Sequence, residues 1–337
     1  MEIKNINNVL DKGHAKELMK EKRVVFITGH NGMVGSAILR LLSKKKIRII
    51  TADKKNINLE DYKETFNFIK KKKITEVYLC AAKVGGVYAN TTYPVDFLEK
   101  NIQIQFNVIK ACYKNNIKKM IVFGSSCVYP IKNRPLKESD FLSGTFEKTN
   151  ESYALAKIAG IKLAESYTKQ YPNKNLNYIS VMPCNIFGPN DNYDNLNSHV
   201  MAALIKKIII AKKTNQKNIT IWGNGKSKRE FLHVDELAKI SYQLMNLGWK
   251  KLKKNLNNYK IINIGSGVDY EINKIAEMIC HILKVKVVFT YDRSKPNGVK
   301  QKLLNIDLLK KLKLCSKIKF RTLLKKHVED VYKKNNF

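Results

Sequence analysis

Apolar positions recur along the first half of the chain in two alternating rhythms. Short apolar runs at Val24 to Thr28, Ile47 to Thr51, Thr75 to Cys80, Met120 to Phe123 and Leu176 to Val181 have the length and β-branched content of buried strands. Between them, Met33 to Leu42, Asp61 to Lys72, Phe97 to Asn115 and Tyr153 to Tyr171 read as helices. Strands alternating with helices predict an α/β chain built on a doubly wound parallel sheet covered on both faces. At 337 residues the chain can bury one large core and a smaller one. After Pro189 the rhythm breaks into loops and shorter elements, including a helix from Val200 to Ala211 and a strand from Tyr259 to Ile264, which predicts a smaller C-terminal domain interrupted by returns to the main sheet.

The ends of the predicted strands carry the chemistry. The first strand runs directly into Gly29-His-Asn31-Gly32-Met33-Val34-Gly35 and then a helix. That order places backbone N–H groups and the positive end of a helix beside a pyrophosphate, so the sheet reads as Rossmann-type. Asp53, after the second strand, can accept ribose hydroxyls and would favour NAD, whereas Lys54 and Lys55 offer positive charge to a 2′-phosphate. These residues alone leave NAD against NADP open.

Composition narrows the class further. The formal charge of +35 suggests a polyanion partner, yet the lysines fall in short groups along the whole chain, with no basic arm, finger spacing or aromatic nucleic-acid motif. They read as decoration of solvated faces, and nucleic acid is not expected as a partner. Six cysteines without a Cys-x-x-Cys pair argue against a disulfide scaffold or zinc cluster, and no metal is expected. No apolar run reaches membrane-spanning length and residues 1–22 lack a targeting ramp, so the expectation is a cytoplasmic enzyme without a membrane partner.

Tyr153 and Lys157 lie one helical turn apart, and a tyrosine beside a solvated amine is common on ordinary helices. With the glycine loop upstream and Ser125 at a strand end, they read as a carbonyl reductase. Ser125 hydrogen-bonds the carbonyl oxygen, Tyr153 protonates the developing alkoxide, and the Lys157 ammonium eases that transfer and orients the nicotinamide ribose. Ala81-Ala82-Lys83 ends another strand, where small residues admit cofactor or sugar, and Pro183 and Asn185 end the next. Asn185 and Ser198 are candidates for sugar or phosphate, Arg229 for the diphosphate, and Trp222 for a sugar or base. The stretch Tyr291 to Leu304 reads as a loop in which Lys295, Lys300 and Lys302 approach the nucleotide. Taken alone, Cys127 is a small buried hydrophobe and His199 a helix-start residue.

The order of glycine loop, Ser125, Tyr153-x-x-x-Lys157 and Asn185-x-x-Gly188-Pro189 resembles the extended short-chain dehydrogenase/reductase family. Within it, Gly124-Ser-Ser-Cys127-Val-Tyr-Pro130, Asn197-Ser-His-Val200 and Arg229-Glu-Phe-Leu-His-Val-Asp235 resemble the GDP-sugar epimerase-reductases. The resemblance implies conversion of GDP-4-keto-6-deoxy-D-mannose to GDP-L-fucose, by epimerisation at carbons 3 and 5 and NADPH-dependent reduction at carbon 4. It implies Cys127 as the proton-abstracting base and His199 as the acid. It implies NADP held by Gly29, Asn31, Gly32, Met33, Val34, Gly35, Asp53, Lys54, Lys55, Ala81, Ala82, Tyr153, Lys157, Pro183 and Asn185. The GDP-sugar falls to Lys83, Asn185, Ser198, Lys207, Trp222, Arg229 and Lys302. The expected organisation is an N-terminal extension over 1–22, an NADP-binding domain over 23–185 and a mainly substrate-binding domain over 186–337. A homodimer through the helices at Phe97 to Asn115 and Ser152 to Tyr171 is also implied. Two alternatives remain: another NADP-dependent nucleotide-sugar reductase or a dehydratase, and a basic nucleic-acid-binding protein on an inactive reductase scaffold. The dehydratase is disfavoured because Ser125-Ser126-Cys127 stands where that chemistry uses a Thr-Asp-Glu-like set.

Overall fold

A computed structural model describes residues 23–194, 198–247, 252, 256, 260–294 and 298–334. The extension expected over 1–22, and Asn197, Tyr259 and Lys295 of the motifs above, lie outside them. The main sheet has the parallel order β2-β1-β3-β4-β5-β9, from β1 (Val24–Thr28), β2 (Arg48–Thr51), β3 (Glu76–Leu79), β4 (Lys119–Phe123), β5 (Asn177–Pro183) and β9 (Ile261–Ile264). Its strands alternate between two cores. Val25, Ile27, Tyr78, Ile121 and Val181 pack toward α1 (Met33–Leu42), while Val24, Phe26, Val77, Met120 and Tyr178 pack on the other face. Burial on both faces explains the near-continuous apolar runs.

Helices α2 (Tyr62–Lys72), α4 (Pro94–Lys114) and α5 (Glu151–Gln170) cover the second face, with the short α3 (Val87–Thr92) leading into α4. Gly160 lets α4 and α5 approach closely, since a Cβ there would lie 2.3 Å from Oε1 of Gln105. Gln105 in turn donates to the carbonyls of Asn101 and Ala156, pinning the two helices together. Strand β5 runs two residues past the expected Val181. Its last residues, Met182 and Pro183, pair with Asn263 and Ile264 of β9, a partner distant in sequence.

After β5 the chain leaves the sheet through β6 (Asn185–Phe187), which pairs with β8 (Lys228–His233). Strands β10 (Asp269–Glu271) and β12 (Gln301–Lys302) flank β8, and β7 (Asn218–Trp222) pairs with β11 (Val288–Asp292). Helices α6 (Val200–Thr214), α8 (Ile272–Leu283) and α10 (Phe320–Lys334) close a separate apolar core around these strands. Helix α7 (Val234–Asn246) packs on α1, and α9 (Asp307–Lys311) lies against β9. The stretch expected as a loop from Tyr291 to Leu304 is therefore only partly irregular: Tyr291 and Asp292 belong to β11, and Gln301–Lys302 pairs with Lys228–Arg229. The backbone donors of β8 take it into a sheet.

Candidate active site

The glycine loop sits where β1 and β3 end together. Oγ1 of Thr28, at the end of β1, accepts from the N–H groups of Cys80 and Ala81, each at 3.0 Å. Gly29 has φ +64°, and a Cβ on it would lie 2.8 Å from the backbone of Ala81; one on Gly35 would lie 2.2 Å from the Gly29 carbonyl oxygen. Both positions therefore require glycine. Asn31 and Gly32 are exposed at the mouth, Met33 and Val34 are half-buried in the first turn of α1, and that turn has no acidic residue to oppose an anion.

Ala81 and Ala82 are half-buried beside this loop, Pro183 is buried at the end of β5, and Asn185 opens β6 half-buried. Asp53 closes its own turn instead of projecting freely. Its Oδ1 accepts from the N–H groups of Lys55 and Asn56 at 3.0 and 3.2 Å. Lys54 and Lys55 are exposed, with Lys54 Nζ 3.8 Å from Glu60.

The second cluster stands at the end of β4. A single 3-10 turn, Ser126–Val128, follows that strand, and Oγ of its N-cap Ser125 accepts from the Cys127 N–H at 3.3 Å. The Ser125 hydroxyl also lies within hydrogen-bond reach of the Cys127 sulfur. From α5, the buried Lys157 donates from Nζ to the Phe123 carbonyl at 2.8 Å and lies 5.6 Å from the centroid of the Tyr153 ring. Tyr153 also meets Phe97 edge-to-face, with ring centroids 6.2 Å apart.

Electrostatics ties these groups together. Desolvation lowers Lys157 to a pKa of about 8, opposed by Cys127 and Cys80. Burial raises the Tyr153 phenol well above its ordinary value, and Cys127 raises it further, so the phenol holds its proton through the neutral range. Burial also raises the Cys127 thiol, offset in part by Lys302, Ser125 and Lys157. Cationic neighbours are present, but desolvation outweighs them. Lys157 stabilises the sulfur electrostatically more than it acidifies the phenol.

The remaining candidates lie on the walls. Lys83 is exposed; its N–H donates to Asn101 Oδ1 at 2.8 Å and its carbonyl accepts from the same side chain. Ser198 is half-buried and His199 is the N-cap residue of α6, with no side-chain cap bond. His199 keeps an open face, yet the surrounding walls desolvate the imidazole and lower its pKa, so the neutral ring dominates near pH 7. Lys207 donates to the Thr220 carbonyl at 2.8 Å and lies 5.9 Å from the exposed Trp222 ring. Arg229 spends part of its fork on protein, Nη1 donating to the carbonyls of Lys228 and Val299 at 2.9 and 2.7 Å. Lys302 Nζ pairs with Glu147 at 3.4 Å.

Comparison with known proteins defines the chain's relationships. The profile of the NAD dependent epimerase/dehydratase family matches residues 25–265. The chain belongs to the NAD dependent epimerase/dehydratase family. Within that family it is similar to the GDP-L-fucose synthase of Escherichia coli K12, at 43% identity over 294 residues, which cover 86% of this chain and 91% of that protein. A GDP-6-OMe-4-keto-L-xylo-heptose reductase from C. jejuni superposes with a TM-score of 0.84 at 30% identity, covering 94% of this chain and 99% of the other. A GDP-mannoheptose C4 reductase from Campylobacter jejuni, with NADP bound, gives 0.82 at 31% identity, covering 94% and 99%.

For a member of this epimerase family, the cradle between Gly29, Gly35 and Ala81 has the backbone approach a dinucleotide pyrophosphate needs. Two carboxylates near the substrate side were not singled out in the sequence. Glu147 pairs with Lys302 and faces Arg229, while Glu230 holds Gly267 and Leu304 by their N–H groups. The only sequence signal was adjacency for Glu230, which follows Arg229, and none for Glu147. His233 has a structural place: its Nδ1 accepts from the Asp235 N–H at the start of α7. A separate cavity of about 420 Å³, lined by Phe231, Tyr270, Lys319 and Phe320, lies beneath the start of α10 and shares no lining residue with the Ser125–Lys157 cluster.

Proposed function

We propose that this protein converts GDP-4-keto-6-deoxy-D-mannose to GDP-L-fucose, epimerising carbons 3 and 5 and reducing carbon 4 with NADPH. The observation that carries the reading is that Tyr153 and Lys157 of α5 meet the turn bearing Ser125 and Cys127 at the end of β4, with Lys157 bonded to the Phe123 carbonyl, in a chain closely similar to a GDP-L-fucose synthase. A reductase alone needs Ser125, Tyr153 and Lys157. Cys127, beside the same phenol, adds a second proton-transfer group.

The glycine loop at Gly29, Gly32 and Gly35 would hold the NADPH pyrophosphate, Lys54 and Lys55 would offer charge to its 2′-phosphate, and the cofactor would furnish the hydride for carbon 4. The Ser125 hydroxyl and the Tyr153 phenol hydrogen-bond the 4-keto oxygen, which stabilises the enolate left when a proton leaves carbon 3 or carbon 5. Cys127 removes those protons and His199 returns them from the opposite face. Each starts in its less reactive form, thiol and neutral imidazole, so the cations Lys302 and Lys157 have to lower the cost of ionising the sulfur. In reduction Tyr153 passes its proton to the alkoxide, and the Lys157 ammonium stabilises the charge left behind. Arg229 and Lys207 supply positive charge for the diphosphate, Lys83, Asn185 and Ser198 polar contacts, and Trp222 an aromatic cover.

The same reading makes the protein a homodimer through α4 and α5, whose outer faces expose Phe106 and Leu155 and stack Tyr113 against Tyr167 and Tyr171. Among the described residues no helix is long and apolar enough to cross a membrane, and the six cysteines are free thiols, which suits a cytoplasmic enzyme. Incubating purified protein with GDP-4-keto-6-deoxy-D-mannose and NADPH, then resolving the product by chromatography and NMR, tests the function. GDP-L-fucose supports it; GDP-6-deoxy-D-talose or GDP-D-rhamnose, the unepimerised alcohols, would leave a 4-reductase only.

A further inference from the structure

Glu147 is a carboxylate that the reaction scheme does not use, and it stands among cations that the scheme does use. Its Oε2 lies 3.4 Å from Lys302 Nζ. A Cβ on Gly298 would meet both Glu147 Oε1, at 3.6 Å, and Arg229 Nη2, at 2.8 Å. One carboxylate and two cations therefore converge on one small space.

Neither cation needs Glu147 to stay in place. The backbone of Lys302 is fixed by β12, which pairs with Lys228 and Arg229 of β8. The Arg229 guanidinium is anchored through Nη1 to the carbonyls of Lys228 and Val299, at 2.9 and 2.7 Å. Glu147 itself is held loosely. A second hydrogen bond, from Asn150 Nδ2 to the same Oε2, is also 3.4 Å long, whereas charge-assisted bonds close to about 2.7–2.9 Å. Glu230, next to Arg229 in the chain, shows the contrast, since backbone N–H groups hold it at 2.6 and 2.9 Å. The side chains of Glu147 and Lys302 are 16% and 17% exposed, so an anion from solvent can reach them.

We propose that Glu147 is the counter-ion that Lys302 and Arg229 exchange for the diphosphate of the sugar nucleotide, and that it holds nucleotide affinity down so that product leaves. The inference rests on the reading of Arg229 and Lys302 as residues of the GDP-sugar site. A diphosphate brings its oxygens to the same cations, so Glu147 must give up Lys302, and the two anions then repel each other at close range. Affinity shared by substrate and product lowers KM without speeding the chemistry. A carboxylate beside the diphosphate limits that affinity.

The test is calorimetric titration of GDP into full-length wild type and Glu147→Gln, at low and high salt. The amide keeps the size of the side chain and an acceptor for Lys302, and removes the charge. Glu147→Gln should bind GDP roughly three- to tenfold more tightly at low salt, with the gap closing to less than about twofold at high salt. Guanosine, which carries no phosphate, should bind both proteins alike. In turnover, KM for the sugar nucleotide should fall while kcat does not rise. Unchanged or weaker GDP binding by Glu147→Gln overturns the proposal, as does an equal gain for guanosine; weaker binding would make Glu147 a support for Lys302 instead.

Should Glu147→Gln not fold, the wild-type complex decides. A crystal structure with GDP should show Lys302 and Arg229 turned from Glu147 to the diphosphate oxygens, and a Lys302–Glu147 pair still closed beside bound GDP overturns the inference. Arg229→Met tests the underlying reading separately. If that variant binds GDP as tightly as wild type, the assignment of Arg229 to the diphosphate has failed, whatever Glu147 does.

Discussion

Lys157 donates its Nζ hydrogen to the Phe123 carbonyl at 2.8 Å, joining the reductase helix to the end of the strand from which Ser125 and Cys127 follow. In the proposed reaction one lysine serves both halves of the site: its Nζ lies 5.6 Å from the centroid of the Tyr153 ring, and it is among the groups that favour ionisation of the Cys127 thiol.

The two halves should respond oppositely to pH. Lys157 carries its proton below about pH 8 and loses it above, so NADPH-dependent reduction should fall as pH rises through that value. Deuterium uptake should instead keep rising with pH beyond that value, because the raised Cys127 thiol ionises only above its ordinary range. Lys157→Met should remove the descending limb and lower reduction by roughly 10²-fold or more. Parallel pH profiles for reduction and exchange would contradict these assignments.

Tyr153→Phe removes the proton donor and keeps the ring against Phe97. Reverse oxidation of GDP-L-fucose should fall by roughly 10²- to 10⁴-fold while deuterium uptake persists at a reduced level. Stopped-flow measurement of NADPH formation checks the first part. A variant that oxidises GDP-L-fucose normally would remove Tyr153 from the role of acid.

Cys127→Ser should give the reverse pattern, with deuterium uptake down by roughly 10²-fold or more, the fold intact and reverse oxidation retained. Because a hydroxyl ionises far less readily than a thiol, preservation of Ser125, Tyr153 and Lys157 should not rescue exchange. His199→Asn should also lower exchange. NMR of the recovered sugar nucleotide separates the positions affected.

Gly35→Ala would put a methyl group 2.2 Å from the Gly29 carbonyl, an atom of the backbone. The loop must shift, at a cost of about 1–3 kcal/mol, and NADPH affinity should weaken by roughly tenfold or more. Calorimetric titration with NADPH and a thermal melt measure the two effects; unchanged affinity would show that the close approach does not shape the cofactor loop.

The strand-end glycines, Ser125 and the Tyr153–Lys157 pair were legible because their signals are local: a run of β-branched residues, a turn, one helical period. Other features depend on distant partners. Arg229 gives a donor to Val299, seventy residues on, and Glu230 reaches Leu304, seventy-four on, neither of which a spacing reveals. The thiol and imidazole directions likewise follow from three-dimensional burial, which reverses the ease of ionisation expected from cationic neighbours alone. Asp53 illustrates the same limit. Its place after β2 is plain in the sequence, but its engagement by the N–H groups of Lys55 and Asn56 appears only once the turn is built.

The central claim is that one site performs both epimerisation and reduction, and the most direct measurement is turnover of GDP-4-keto-6-deoxy-D-mannose by the wild-type protein with NADPH in deuterated water. GDP-L-fucose carrying solvent deuterium at carbons 3 and 5, formed in step with NADPH oxidation, is the predicted result. NADPH oxidation that yields a 4-hydroxy product with no deuterium at either carbon would contradict it.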